Sequence, residues 1–299
     1  MNSSLSLAPE PVREQPYLMA IDRPDQAPDL GPPPADGRPE PERGAADADQ
    51  RSRTETYADL READPAPAAA DAAHTTADGG WSWKSLRLTR ADNQVADQQL
   101  AARRQAEGRH PDGSYDDRGL TPALRRVAGQ LDHGTLVPDT EKFALKSPDR
   151  FKEKLAKMMG TEPDRPASDL ATEIHDGIRY TFLSDPDHYA EQTQKACSGL
   201  SNNGYELIRL ANRWGGEEYK GVNSRWSDPS SGQHFEVQFH TPASWEAKQR
   251  THEAYEKIDN PETPVDEVEK LRSYQRYTSD SLEVPSHWDD IRDYRKPGH

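Results

Sequence analysis

The chain has 299 residues and a single cysteine, Cys197. One thiol cannot close an intramolecular disulfide, and it cannot supply the cysteine pairs of a structural zinc site. No apolar run is long enough to span a bilayer, so no membrane partner is expected. The opening residues MNSSLSLAPEP lack the basic and apolar regions of a secretory signal peptide. The expected location is the cytoplasm, or outside it by a route that reads other signals. GxSxG, P-loop, GxGxxG and HExxH patterns are absent, which argues against serine hydrolase, P-loop NTPase, dinucleotide-binding and zinc-peptidase chemistry. Positive charge is also scarce: 38 Lys and Arg face 53 Asp and Glu, a net charge of -15. That excludes a general nucleic-acid coat, which needs a basic surface to release counterions, but leaves local phosphate binding open.

What is present divides unevenly. From residue 1 to about 80, Pro, Ala, Asp and Glu dominate, as in DQAPDLGPPPADGRPEPERGAADADQ. Such a stretch buries too little apolar surface to offset an ordering cost of about 1–2 kcal/mol per residue, so a disordered N-terminal arm is expected. Residues 81–114 read as a helical or partly ordered linker, with Trp81, Trp83, Leu86 and Leu88 leading into an Ala- and Gln-rich run. Residues 115–299 carry regular signals and form the expected catalytic domain.

Within that domain, LTPALRRVAGQL predicts a helix capped by Thr121 with Pro122 first. SPDRFKEKLAKMMG predicts another, capped by Ser147, with Phe151 and Leu155 on its apolar stripe and Gly160 as its stop. A short helix, the strand GIRYTFLS, a helix closed by Asn-Asn-Gly, and the strands YELIRLANRW, YKGVNSRWSDP and HFEVQFHT follow, with two final helices. The predicted fold class is α+β: a mixed sheet flanked by helices, around one core.

Three groups of residues could carry chemistry. Lys146, Arg150, Lys154 and Lys157 lie at helical spacing on the face opposite Phe151 and Leu155. A cationic row at a helix start suits a triphosphate, although the same spacing describes a solvated polar face. Asp176 opens a strand beside Gly177 and two positions before Ile178, where it could reach a bound cation or pair with Arg179. In HFEVQFHT, Phe235, Val237 and Phe239 take one face while Glu236, Gln238 and His240 take the other. If the strands pair, Glu236 and Asp176 could share a divalent ion. Their hard oxygens favour Mg²⁺ over Zn²⁺.

In order, these motifs resemble the RelA/SpoT-type nucleotide pyrophosphokinases, over roughly residues 117–260, and most closely the small toxin-like actinobacterial forms. The resemblance implies a synthetase-like nucleotidyltransferase fold that moves the β,γ-pyrophosphate of ATP to the 3′-hydroxyl of an acceptor nucleotide. It implies Lys146, Arg150 and Lys154 on ATP, Asp176 and Glu236 on Mg²⁺, and Arg179 neutralising charge. Glu236 would take the hydroxyl proton, and Tyr219, Asn223, Gln238 and His240 would hold the acceptor, Tyr219 by stacking on its base. The chain departs from the family in four places. Ala144 stands where an Arg often begins the cationic row, the Asp176–Arg179 interval is short, Asn223 replaces His, and His240 replaces Arg. No hydrolase HD pair precedes the region, so synthesis alone is implied. A toxin effector with an immunity or delivery partner, an RNA 3′ end as acceptor, and a non-catalytic module of the same fold remain the alternatives.

Overall fold

The computed structural model describes residues 72–260 and 263–298; residues 1–71, nearly all of the expected arm, lie outside them. The described part begins earlier than the boundary expected near residue 80, because His74–Thr75 (β1) pairs with Trp81–Trp83 (β2), which pairs with Leu86–Leu88 (β3). A helix, α1 (Arg90–Glu107), follows, with Thr89 and Asp92 forming a capping box and Gly108 ending it in the left-handed conformation. Residues 81–114, read as helical or partly ordered, thus hold β2, β3 and α1.

The next elements are α2 (Leu120–Ala128), β4 (Gly134–Leu136), α3 (Thr140–Phe143), α4 (Pro148–Thr161) and α5 (Ala167–Thr172). A 3₁₀ turn, His175–Gly177, delivers the chain to β5 (Arg179–Ser184). Then come α6 (Tyr189–Asn202), β6 (Glu206–Asn212), β7 (Val222–Ser227), β8 (His234–His240), α7 (Pro242–Ile258), α8 (Val265–Asp280) and β9 (Tyr294–Arg295). None of the described helices is long and apolar enough to cross a membrane.

Ser147 caps α4 by accepting from the Arg150 N–H, with Pro148 in the first turn, as its sequence predicts. The helix runs one residue beyond Gly160, to Thr161. The start of α2 differs: Gly119 is the cap and Pro122 sits in the first turn. Thr121 is buried instead, its hydroxyl shared between the Glu107 carboxylate and the Tyr180 hydroxyl, each at 2.8 Å. A buried hydroxyl with two partners is held there more firmly than a cap exposed to water could hold it.

The main sheet has the order β4-β5-β8-β7-β6-β9. Only β5 and β8 run parallel; the other pairs are antiparallel, so the sheet is mixed. On one face Tyr180, Phe182, Val222, Trp226, Phe235, Val237 and Phe239 are all essentially buried. The Phe182 and Phe239 rings stack at 5.6 Å. A second core lies between β2–β3, α1, α4 and α5, built on Trp81, Leu100, Phe151, Leu155, Leu170 and Ile174. The indole of Trp81 also donates to Asp149 at 3.0 Å, at the first turn of α4. The opposite face of the main sheet carries Arg179 and Thr181 on β5 and Glu236 and Gln238 on β8.

A candidate functional site on the polar face of the sheet

Alternation along β8 sends Glu236 and Gln238 away from the phenylalanine core, and register places their neighbours. Arg179 and Thr181 of β5 lie opposite Glu236 and Gln238 on one side, and Arg225 and Asn223 of β7 on the other. α7 leaves β8 through the Thr241–Ser244 capping box and returns over this face, contributing Trp245, Lys248, Thr251, His252 and Tyr255 to the wall. The result is a cavity of about 690 Å³, within the size range of nucleotide-scale pockets.

At one end stands a charge cluster. The Asp176 carboxylate meets Lys154 at 2.7 Å, and Lys146 and Arg179 at 3.1 Å each. Arg179 reaches on to Glu236 at 3.4 Å, so one guanidinium engages both carboxylates. Burial alone would raise the Asp176 pKa, but Lys146, Lys154 and Arg179 outweigh it and hold the carboxyl well below the usual range. Burial also lowers Lys146, against the pull of Asp176. Asp176 is thus ionised and cation-bound at neutral pH, and Glu236 shares its guanidinium partner.

A second chain of contacts runs from Glu236 toward α7. Gln238 donates to Glu236 and accepts from the Lys248 ammonium. Burial, with Arg179 nearby, pulls the Lys248 pKa down to about 7, against the opposing pull of Glu236. Lys248 also lies 4.5 Å over the Trp245 ring. Beyond Arg225, His175 and His234 approach through their Nδ1 atoms at 3.1 Å; burial first, then Arg225 and His234, lower His175 to about 4, so it is neutral.

The Tyr219 hydroxyl donates to Asn223 Oδ1 at 2.7 Å and meets His240 Nε2 at 2.9 Å. Ser244 lies 2.9 Å from His240 Nδ1. One assignment satisfies every atom: Ser244 donates to Nδ1, Nε2–H donates to Tyr219, and Tyr219 donates to Asn223. It requires a neutral imidazole, and burial, reinforced by Lys248, pushes the His240 pKa well below its ordinary value. Gly221 permits this packing. Its φ is 152°, and an added Cβ would lie 2.9 Å from both Phe239 O and His240 Cε1.

Of the residues singled out from sequence, Asp176, Arg179, Glu236, Gln238, Tyr219, Asn223 and Lys154 line the cavity together. Lys146 stands behind Asp176 as its ion-pair partner. Two are placed otherwise. Arg150 does not line the wall, because its guanidinium is paired with Glu153 on its own helix and with Glu256 on α7. His240 is fully buried and supports Tyr219 from beneath rather than facing a ligand. Sequence reasoning missed Lys248, Trp245, Thr251 and Tyr255, and it read His252, which also lines the cavity, as a core or surface histidine. Their spacing of three and four along α7 marks the helix face that looks back at the sheet. It also missed Arg103, which is 1% exposed. From α1 its guanidinium donates to Ala171 O at 2.9 Å and Ile174 O at 3.3 Å, stacks on Phe151 and fills the space under Gly177. It thereby fixes the turn that carries Asp176.

The donors fit a hard divalent cation. Asp176 and Glu236 bring carboxyl oxygens to one arginine, and Mg²⁺ takes one or two carboxylates with phosphate oxygens and water. Among the described residues, a separate group of possible metal ligands, His133, Asp185 and His188, lies at the far end of β5.

No protein-family description and no curated protein matches the sequence. Solved structures to which the chain is similar include a GTP pyrophosphokinase family protein from Streptococcus pneumoniae, at 13% identity and a TM-score of 0.40, over 64% of this chain and 90% of that one. The small alarmone synthetase 1 from Bacillus subtilis, bound to its product pppGpp, is similar at 12% identity and a TM-score of 0.39, over 62% and 91% of the two chains. The small alarmone synthetase 2 of the same organism gives 12%, 0.35, 62% and 89%.

Proposed function

We propose that this protein transfers the β,γ-pyrophosphate of ATP to the 3′-hydroxyl of an acceptor nucleotide. The observation that carries the reading is the Asp176–Arg179–Glu236 bridge. It sets two acidic side chains from separate segments of the chain beside Lys146 and Lys154, at one end of a nucleotide-sized cavity. Phosphoryl-type transfer needs little covalent work from the protein; positioning and charge neutralisation supply most of the acceleration.

Lys154, Lys146 and Arg179 take the phosphate oxygens. Tyr219, held rigid by Asn223 and His240, offers its ring to the acceptor base. Glu236, oriented by Gln238 and Arg179, accepts the 3′-hydroxyl proton as that oxygen bonds to the β-phosphorus. The bond from the β-phosphorus to the α,β-bridging oxygen breaks, and AMP leaves with the bridging oxygen. Asp176 and Glu236 would hold Mg²⁺, which when bound supplies positive charge to the phosphate oxygens.

The competing reading is a non-catalytic nucleotide-binding domain in which the same ion pairs are structural. Incubating the full chain with γ-labelled ATP, Mg²⁺ and candidate acceptors separates the two. An enzyme labels the acceptor, releases AMP in equal amount, and loses both in Glu236→Gln without loss of fold. AMP released with no labelled acceptor would overturn the transfer reading.

A further inference from the structure

A different set of side chains gathers at the end of β5 away from Asp176. β4 and β5 pair with Gly134 opposite Ser184, so His133, just before one strand, comes beside Asp185, just after the other. The backbone fixes that corner: the Asp185 N–H donates to His133 O and the His188 N–H to Asp185 O, each at 3.1 Å. A 3₁₀ turn over Pro186–His188 returns His188 toward Asp185, and α6 starts at the next residue. The C-terminal segment also rests here, the Ser286 N–H donating to Pro186 O at 3.1 Å.

These three side chains do little to satisfy one another. Their ligand atoms all lie within 4.8 Å of one another. His133 Nδ1 stands 3.5 Å from Asp185 Oδ2, longer than a good hydrogen bond. Two ligands on a tetrahedral Zn²⁺ with bonds of about 2.0–2.1 Å are about 3.3 Å apart, so this spacing already suits an ion. The buried His188 Nδ1 has no hydrogen-bond partner among the described residues. A nitrogen kept from water without a partner costs free energy that a metal bond would remove. Asp132, next to His133, is held by Lys195 at 2.6 Å and stays outside the set. The His133 and His188 rings lie 3.6 Å apart with planes 8° from parallel. Imidazole lone pairs lie in the ring planes, so both nitrogens meet one ion only after a ring turns about its Cβ–Cγ bond. His133, 44% exposed, has the room to turn.

We propose that His133, Asp185 and His188 bind one Zn²⁺, with water in the fourth position, and that the ion clips the edge strand β4 to the corner between β5 and α6. Two imidazoles and one carboxylate suit Zn²⁺, whereas Mg²⁺ takes oxygen donors. None of the three residues lines the cavity, so the clip is separate from the transfer reading and does not rest on it. Its ligands come from both sides of the β4–β5 pair and meet only in the folded chain. Zinc therefore raises stability by mass action.

The test is zinc titration of the untagged full chain, first dialysed against a chelator and then held in excess Mg²⁺, by calorimetry and by thermal melting. The expected result is one ion per chain that Mg²⁺ does not displace. At zinc a hundred-fold above Kd, Tm should be higher by about 5–10 °C. Co²⁺ in its place should give the intense visible absorption of tetrahedral coordination. His133→Ala and, separately, Asp185→Asn alter exposed side chains and should melt within about 2 °C of the parent without zinc. Each should weaken zinc binding by at least about a hundred-fold. His175→Gln, which breaks the imidazole contact with His234, should keep both the ion and its Tm shift. Zinc binding unchanged in both ligand variants, loss of the ion in His175→Gln, or no Tm shift at saturating zinc overturns the clip. None of these outcomes bears on transfer, which the labelled-ATP assay reads by itself.

Discussion

In the proposed reaction, Asp176 competes with the triphosphate for the same cations. Its carboxylate, 12% exposed, is saturated by Lys154, Lys146 and Arg179 at 2.7–3.1 Å. An incoming phosphate must draw those groups away while itself being repelled by the carboxylate. Asp176→Asn removes the competing charge and keeps the shape. A unit-charge repulsion at about 8 Å and an effective dielectric of about 20 is worth about 2 kcal/mol. That corresponds to roughly thirty-fold in affinity. Calorimetric titration with magnesium-free tripolyphosphate should therefore find the variant binding about thirty-fold more tightly than the parent. With Mg²⁺ the order should reverse, and transfer should fall about a hundred-fold or more. Without phosphate, the variant leaves three cations lacking their shared anion and should be about 3 kcal/mol less stable to urea. Added tripolyphosphate should restore most of that. Equal tripolyphosphate affinity in the two proteins without Mg²⁺ would refute the reasoning, because these cations would then not address phosphate at all.

Three further outcomes follow from the same contacts. Lys248 titrates near 7 when folded and about 10.4 when unfolded, so between those values the unfolded chain binds the extra proton and stability rises with pH. Lys248→Met should flatten that rise, read from urea unfolding at pH 7 and 9.5. Arg103→Leu leaves the Ala171 and Ile174 carbonyls without their donor and should cost about 1–3 kcal/mol of stability. If Arg103 positions Asp176, kcat should also fall in that variant while Arg103→Lys recovers part of it, which a purely structural role would not require. Gly221→Ala, at φ 152° and against Phe239 O, should cost about 1–3 kcal/mol or more, seen as a fall of several degrees in Tm.

Much of the fold could be read along the chain because alternation and capping are local. β8 shows this best: Phe235, Val237 and Phe239 face the core and Glu236 and Gln238 the cavity, as period-two alternation requires. Ser147 and Pro148 start α4 where they were expected to. Thr121 shows the limit, since nothing nearby in sequence announces Glu107 and Tyr180 as its partners. Arg150 fits a phosphate row by spacing alone, but Glu256, more than a hundred positions away, captures it. His240 has the right parity to face a ligand, yet α7 folds back close enough to bury it against Ser244.

The sequence by itself determined which faces are apolar, where α4 begins, and that one cysteine closes no intramolecular disulfide and forms no cysteine-pair zinc site. Those properties depend on neighbours within a few residues. Only the tertiary structure decided that Asp176 and Glu236 meet through Arg179, that Arg103 underpins the turn between them, and that His133 comes beside Asp185 and His188 at the far end of β5. Strand register and helix packing bring together residues tens of positions apart, and charges act through space rather than along the chain.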